Sequence, residues 1–113
     1  LDHASGEIRL VLERVCGQTL EEYIKSKLQV SSGLSDASLQ LDVMLRLCGA
    51  LSYIHSRKPV VVHGDLKPTN ILIEFREQGP LPKLIDFGLS RFRTRHAQLL
   101  GGTPRYMAPE VVP

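Results

Sequence analysis

The chain has 113 residues, of which 42% are hydrophobic and 23% are charged, and its formal net charge is +2. This composition is typical of a globular protein, and no apolar run approaches the roughly 18 residues of a membrane span. So small a charge gives no reason to expect nucleic acid or a membrane surface as a partner. Cys16 and Cys48 lack metal-site spacing and are too few for a disulfide framework, so we expect free thiols.

The first part of the chain predicts a strand and a short helix. Residues 8–12 are β-branched or aliphatic, which indicates a strand, and residues 13–18 are predicted to be a linker. Thr19 is a candidate N-cap for a helix over residues 20–28, with Glu21 and Glu22 in its first turn.

A longer helix is predicted next. Ser35 or Asp36 is expected to cap it, and it should reach about residue 56, because Pro59 disfavours helical backbone in the residue before it. Apolar residues recur along it at three- and four-residue steps, at Leu39, Val43, Leu47, Leu51 and Ile54.

Short strands are predicted in the second half of the chain. Residues 60–62 and 71–73 are apolar and β-branched, and each should form a strand. Residues 74–82 contain glycine and two prolines and are predicted to be a polar turn before a third strand at residues 83–85.

Three motifs lie in and after this region. Residues 63–70 read His-Gly-Asp-Leu-Lys-Pro-Thr-Asn, Asp-Phe-Gly follows at residues 86–88, and Ala-Pro-Glu follows at residues 108–110. Any one tripeptide occurs by chance at about 1 in 8,000 positions, so the order and phasing carry the weight. Together the motifs resemble the catalytic loop, the metal-binding turn and the activation-segment end of a eukaryotic serine/threonine protein kinase.

The resemblance implies an α+β, protein-kinase-like fold that comprises part of the large helical lobe and the hinge strand. Residues 1–113 would be one partial kinase domain, which contains neither the Gly-rich loop nor the phosphate-pairing lysine strand. We therefore expect this chain to be inactive by itself. Its parts would be the hinge and the strand before it (1–18), the family's helices D and E (19–58), the catalytic loop and hairpin strands (59–85) and the activation segment (86–110).

The resemblance also implies a set of catalytic residues. Phosphoryl transfer needs an oriented nucleophile and neutralised phosphate charge. Asp65 matches the base that orients the acceptor hydroxyl, and Lys67 matches the lysine that steadies the transferred phosphate in serine/threonine kinases. Thr103 matches the threonine that hydrogen-bonds both. Asn70 and Asp86 match the magnesium ligands.

ATP and Mg²⁺ are the implied cofactors. Leu12 falls at the family's gatekeeper position, and Glu13 and Val15 fall where backbone groups bind the adenine. Leu72 matches the residue beneath the adenine ring. These residues would equally suit a plain strand and core, since nucleotide pockets are largely apolar.

Two further residues of the motifs are given structural roles. His63, next to an apolar strand, is expected to pack against Phe87 rather than to act as an acid or base. Gly88 is expected to let the backbone turn sharply after Asp86.

The chain departs from the family at Gly64, where an arginine usually binds the phosphate of the activation segment. The common phosphorylation site four residues before Thr103 is Leu99 here. We therefore expect activity without phosphorylation of the activation segment, although Thr94 and Ser90 remain candidate sites.

The activation segment is basic. No acidic residue occurs between residues 87 and 109, whereas arginines occupy positions 91, 93, 95 and 105. Either this is a solvated basic loop, or the surface prefers acidic substrates or an acidic partner. Glu110 would pair with an arginine outside this chain.

The function implied is phosphorylation of serine and threonine hydroxyls in protein substrates. A pseudokinase or scaffold that at most binds nucleotide is the first alternative, and a truncated interaction module is another. The expected location is cytoplasmic. No nucleic-acid partner is expected, and no membrane segment is expected within this chain, although the parent protein could carry one elsewhere.

Overall fold

The computed structural model describes residues 6, 9–28, 34–93 and 101–112. Within them are two α-helices, five strands and three single-turn 3₁₀ helices, which span Pro68–Asn70, Pro104–Tyr106 and Pro109–Val111. The other elements are β1 (Gly17–Thr19), α1 (Leu20–Leu28), α2 (Leu34–His55), β2 (Val61–Val62), β3 (Ile71–Arg76), β4 (Gly79–Leu84) and β5 (Arg91–Phe92). The predicted α+β class is confirmed.

Two small antiparallel sheets position the motifs. The first has the strand order β1-β3-β4, and the second pairs β2 with β5. A two-residue turn, residues 77–78, joins β3 to β4 in the first sheet. The second sheet sets Val62 opposite Arg91, so it joins the strand before the motif at residues 63–70 to the residues after the Asp-Phe-Gly motif.

The core lies between the helices and the first sheet. α2 packs on β4, and α1 packs against β1 and β3. The most buried side chain is Ile73, and the other core members are Tyr23, Val43, Leu47 and Ile71. All five positions that the sequence predicted on the inner face of α2 are buried or half-buried, so that face is confirmed.

The predicted bounds of α1 are confirmed, and its cap is reciprocal. The Thr19 hydroxyl accepts the N–H of Glu22 at 3.1 Å, and the Glu22 carboxylate accepts the N–H of Thr19 at 3.0 Å. This capping box satisfies backbone donors that the first helical turn leaves free.

The predicted cap of α2 is wrong. The helix begins at Leu34, so Ser35 and Asp36 both lie inside its first turn and neither stands at the N-cap. Residues 29–33 lie outside the described residues. The carboxyl end at His55 is one residue earlier than predicted.

The predicted strand over residues 8–12 is also wrong in its described part. Arg9 forms an isolated bridge and residues 10–16 have no regular structure. A strand exists only beside a partner, and no described strand pairs with residues 10–16. Instead, β1 forms in the predicted linker. Gly17 permits this pairing because a side chain there would overlap the carbonyl oxygen of Ile73 in β3.

Residues 74–82 are not a polar turn but most of a hairpin. β3 continues to Arg76, and β4 includes both Pro80 and Pro82, which are opposite Phe75 and Ile73. The two prolines are two residues apart, so both direct their missing N–H toward the same side, the open edge of the sheet. That geometry explains why prolines typical of a loop are compatible with this strand.

Candidate active site

The His63 ring links the backbone at Asp65 to the backbone just after β4. Its ring is 3% exposed, and Nε2 donates to the Ile85 carbonyl oxygen at 2.7 Å while Nδ1 accepts the N–H of Asp65 at 3.1 Å. The ring also lies 4.8 Å, centroid to centroid, from Phe87. Both ring nitrogens are therefore committed to structure, which agrees with the packing role predicted for His63.

A hydroxyl and an ammonium group hold the Asp65 carboxylate. Thr103 Oγ1 donates to Asp65 Oδ1 at 2.9 Å, and Lys67 Nζ donates to Thr103 Oγ1 at 2.8 Å. Lys67 Nζ also lies 3.4 Å from Asp65 Oδ2. The hydrogen bond from Thr103 keeps the pKa of Asp65 below its ordinary value, with help from the charge of Lys67 and against some desolvation.

Asn70 joins this cluster to the Asp-Phe-Gly motif. Its side-chain nitrogen donates to the Asp65 carbonyl oxygen at 2.9 Å and lies 3.4 Å from Asp65 Oδ2. Its backbone oxygen accepts the N–H of Ile85, the residue before Asp86, at 2.9 Å. Because the amide nitrogen is occupied, the amide oxygen is the atom that can accept a hydrogen bond or bind a cation.

Asp86 itself carries the sharp turn in its motif. Its φ is +58°, in the left-handed region that few residues other than glycine adopt, and its side chain is exposed. The N–H of Gly88 donates to Asp86 Oδ1 at 3.3 Å. The turn predicted for Gly88 is therefore displaced by two residues, since Gly88 has no left-handed φ. Such backbone strain is typical of functional positions.

The structure explains the unusual Gly64. Its φ is +90°, and a side chain there would overlap the carbonyl oxygen of Leu89 and lie 2.9 Å from its carbonyl carbon. Arg91 Nη1 would be 3.4 Å from that side chain's first carbon. The family's arginine does not fit this backbone. The sequence flagged the departure, but this packing requirement could not be read from it.

The described part of the activation segment contains three of its arginines. The Arg93 N–H donates to the Val60 carbonyl oxygen at 2.7 Å, and the Arg105 guanidinium lies 5.7 Å from the centre of the Tyr106 ring. The Ser90 hydroxyl donates to the Phe87 carbonyl oxygen at 2.6 Å. Thr94, Arg95 and Leu99 lie outside the described residues, so their predicted roles stay predictions.

The residues predicted to bind nucleotide are divided between two environments. Leu72 is half-buried in β3, whereas Leu12 is 74% exposed and Val15 half-buried in the irregular segment before β1. The Glu13 carboxylate contacts Lys83 Nζ across 70 residues of sequence. The sequence reasoning missed this ion pair, because nothing in the spacing of the two residues predicts it.

The Asp65 carboxylate is held by a hydroxyl and an ammonium group, and the Asn70 amide is bonded to the backbone of the same residue. The Asp86 carboxylate follows the residue that is hydrogen-bonded to the Asn70 backbone. These are the types of group that phosphoryl transfer to a hydroxyl needs. Among the described residues, no three His, Cys, Asp or Glu side chains form a metal cluster. No helix in the described part of the chain is long and apolar enough to cross a membrane.

The comparisons with known proteins indicate the same family as the sequence motifs. The model of the protein kinase domain matches residues 3–113. The chain is 36% identical to the ovarian-specific serine/threonine-protein kinase Lok of Drosophila melanogaster, covering 93% of this chain and 21% of the relative. It is 37% identical to the serine/threonine-protein kinase DCLK3 of Homo sapiens, covering 94% and 15%.

A third relative is a putative leucine-rich repeat receptor-like serine/threonine-protein kinase of Arabidopsis thaliana, 34% identical over 96% of this chain and 12% of the relative. The chain thus spans about a fifth or less of the length of these three relatives. The chain belongs to the protein kinase family, as its motifs predicted.

Proposed function

We propose that this chain forms the catalytic centre of a serine/threonine kinase that transfers the γ-phosphoryl group of ATP to protein hydroxyls. The observation that carries the proposal is the hydrogen-bonded set of Asp65, Thr103 and Lys67. It presents one carboxylate and one ammonium group side by side, each anchored to the same hydroxyl. These are the two charges that the reaction requires at the acceptor side.

Asp65 would orient the acceptor. Thr103 donates a short hydrogen bond to Oδ1, whereas Lys67 and Asn70 are each 3.4 Å from Oδ2. Oδ2 is therefore the oxygen with more capacity to accept a hydrogen bond from a substrate hydroxyl. The pKa of Asp65 is lowered from an ordinary value that is already well below neutral, so the carboxylate is ionised at neutral pH. Lys67 lies close enough to neutralise charge on the transferred group, and its ammonium is a compact point charge suited to that role.

Asn70 and Asp86 would hold Mg²⁺. Their free oxygens are the ligands that this hard cation prefers, and Mg²⁺ usually takes only one or two protein ligands together with waters and phosphates. The residues fit because the Asn70 amide nitrogen is already bound to Asp65, and because Asn70 is hydrogen-bonded to the residue before Asp86. ATP would supply the phosphoryl group, and Leu72 and the backbone of Glu13 and Val15 would hold its adenine.

Two observations favour serine and threonine as acceptors. Lys67 donates to Thr103, which is the pairing that the resemblance associates with this class. The relatives compared above are named as serine/threonine kinases.

The proposal also assigns the domain to the cytoplasm, where ATP and Mg²⁺ are abundant and where Cys16 and Cys48, both free and exposed, would stay reduced.

The test uses the longest kinase domain that contains residues 1–113, called the parent domain below. Radiolabelled ATP and a mixed protein substrate should give phosphoserine or phosphothreonine on phosphoamino-acid analysis, and Asp65→Asn is the matched control against contaminating kinases. Predominant phosphotyrosine would contradict the acceptor class. Nucleotide binding without any transfer would favour the pseudokinase alternative.

A further inference from the structure

Four side chains of alternating charge form a row on the first sheet. The Lys83 ammonium contacts the Glu13 carboxylate on one side and lies 3.3 Å from Glu74 Oε2 on the other. Arg76 Nε lies 2.6 Å from Glu74 Oε1. We call Glu13, Lys83, Glu74 and Arg76 the charge row. It joins the irregular segment 10–16 to the hairpin of β3 and β4.

The charge row lies on the face of the sheet that the proposed function assigns to the nucleotide. Lys83 is directly opposite Leu72, and Glu74 is two residues beyond Leu72 in the same strand, so their side chains share one face. Ile71 and Ile73 point to the other face, in the core. The row therefore extends alongside Leu72, the residue proposed to lie beneath the adenine.

Burial divides the row into a fixed part and a releasable part. The side chains of Lys83 and Glu74 are 19% and 20% exposed, whereas that of Glu13 is 67% exposed. The hydrogen bond from Arg76 lowers the pKa of Glu74, and the hydrogen bond to Glu13 raises the pKa of Lys83, so these partners favour the charged forms of both side chains. Glu74 keeps Lys83 in place, and the exposed contact with Glu13 can open and close.

We propose that Lys83 is a positioning residue that latches segment 10–16, through Glu13, onto the nucleotide face of the sheet. This inference rests on the proposed function. No strand pairs with residues 10–16 within the described residues, so their order depends on such contacts. A segment held in place before the adenine arrives loses less conformational freedom on binding, and so binds more tightly.

The kinetic test compares variants of the parent domain. Lys83→Met and Glu13→Gln should each raise KM for ATP by about two- to fivefold and leave kcat nearly unchanged, as expected for an exposed ion pair that acts before the chemical step. The double variant should have the same KM for ATP as either single variant. Lys83→Arg, which keeps the positive charge, should have the wild-type KM. Lys25→Met is the matched control, because Lys25 also pairs with a glutamate, Glu21 at 3.7 Å.

A second measurement needs neither nucleotide nor activity. Arg14 is exposed beside Glu13, and trypsin should cleave after it about two- to fivefold faster in Lys83→Met and Glu13→Gln, since cleavage follows the open population. High salt should remove the difference by screening the pair. If the wild-type parent domain neither binds ATP nor transfers phosphate, the proposed function fails. The rate of trypsin cleavage then still shows whether Lys83 and Glu13 hold segment 10–16 in place. Unchanged cleavage in both variants, or an equal effect in Lys25→Met, would overturn it.

Discussion

The two ends of the proposed site are held in different ways. At the transfer end, Asp65 is joined by hydrogen bonds to Thr103, 38 residues away, and to Asn70, five residues away. At the nucleotide end, Leu12 is 74% exposed and Glu13 meets the sheet through an ion pair of which its own side chain is 67% exposed.

The difference indicates which step each end can control. A network of buried or half-buried hydrogen bonds keeps the charges that stabilise a transition state in place before the substrate arrives, which is the main source of electrostatic catalysis. An exposed ion pair contributes little and responds to salt. We therefore expect the transfer end to set the rate of the chemical step and the nucleotide end to set affinity. The following experiments test that division, in decreasing order of expected effect.

The largest effects should follow removal of the two carboxylates. Asp65→Asn should lower kcat by about a thousandfold or more and leave the Kd for MgATP nearly unchanged, because in the proposed function Asp65 acts on the acceptor. Asp86→Asn should lower kcat similarly and also weaken binding of MgATP, because it alters a proposed metal ligand. Calorimetry gives the Kd for MgATP of each variant, and this value is compared with the kcat of the same variant. A large change of Kd in Asp65→Asn would contradict the division.

Gly64→Ala tests how closely the catalytic loop approaches the activation segment. The new methyl group would overlap the Leu89 carbonyl oxygen at a φ of +90°, so we expect a loss of about 1–3 kcal/mol in the free energy of unfolding. Gly49→Ala is the control, since Gly49 lies in α2 with nothing within 4 Å of the added carbon, and should be neutral or stabilising. Chemical denaturation measures both, and equal stabilities would refute the packing requirement.

Thr103→Val tests the network around Asp65. Loss of the hydroxyl should raise the pKa of Asp65 toward its ordinary value of 3.8 and lower kcat by about tenfold. Because the folded-state pKa of Asp65 is depressed, its contribution to stability is present above pH 3.8 and is lost as the pH falls through the folded-state value. Thr103→Val should therefore lose less stability on acidification than wild type.

The measurements for this prediction are an NMR titration of the Asp65 carboxyl carbon and thermal unfolding between pH 3 and pH 7. Thr103→Ser keeps a hydroxyl at the same position and is the control. An Asp65 pKa that does not change in Thr103→Val would show that Thr103 has no electrostatic role.

The smallest effect is expected from phosphatase treatment. Gly64 cannot bind a phosphate through a side chain, and its neighbour Leu89 leaves no room for one that could. Activity should therefore stay within about twofold after dephosphorylation, and likewise in Ser90→Ala and Thr94→Ala. A tenfold loss, equal to about 1.4 kcal/mol of barrier, after dephosphorylation and in Thr94→Ala would make Thr94 a switch.

Local sequence patterns account for much of the fold. The Thr19 N-cap and the two glutamates of the first turn predicted the bounds of α1, because the signals that start a helix lie within its first few residues. The motif register predicted which chemical groups would be present in the catalytic loop. The same reasoning failed at β1 and β4, where Gly17, Pro80 and Pro82 are unfavourable strand residues that are accommodated by the positions of neighbouring strands.

The amino-acid sequence alone thus determined the family, both helices to within a few residues and the identity of the candidate site residues, since each motif and each helical pattern is local in the chain. Tertiary structure alone decided that the Thr103 hydroxyl bridges Asp65 and Lys67, that Gly64 must lack a side chain, and that Lys83 contacts Glu13. Each of these depends on two backbones that lie 25 to 70 residues apart in sequence meeting at contact distance. No local propensity encodes such a meeting, which is set by how the two sheets and α2 pack together.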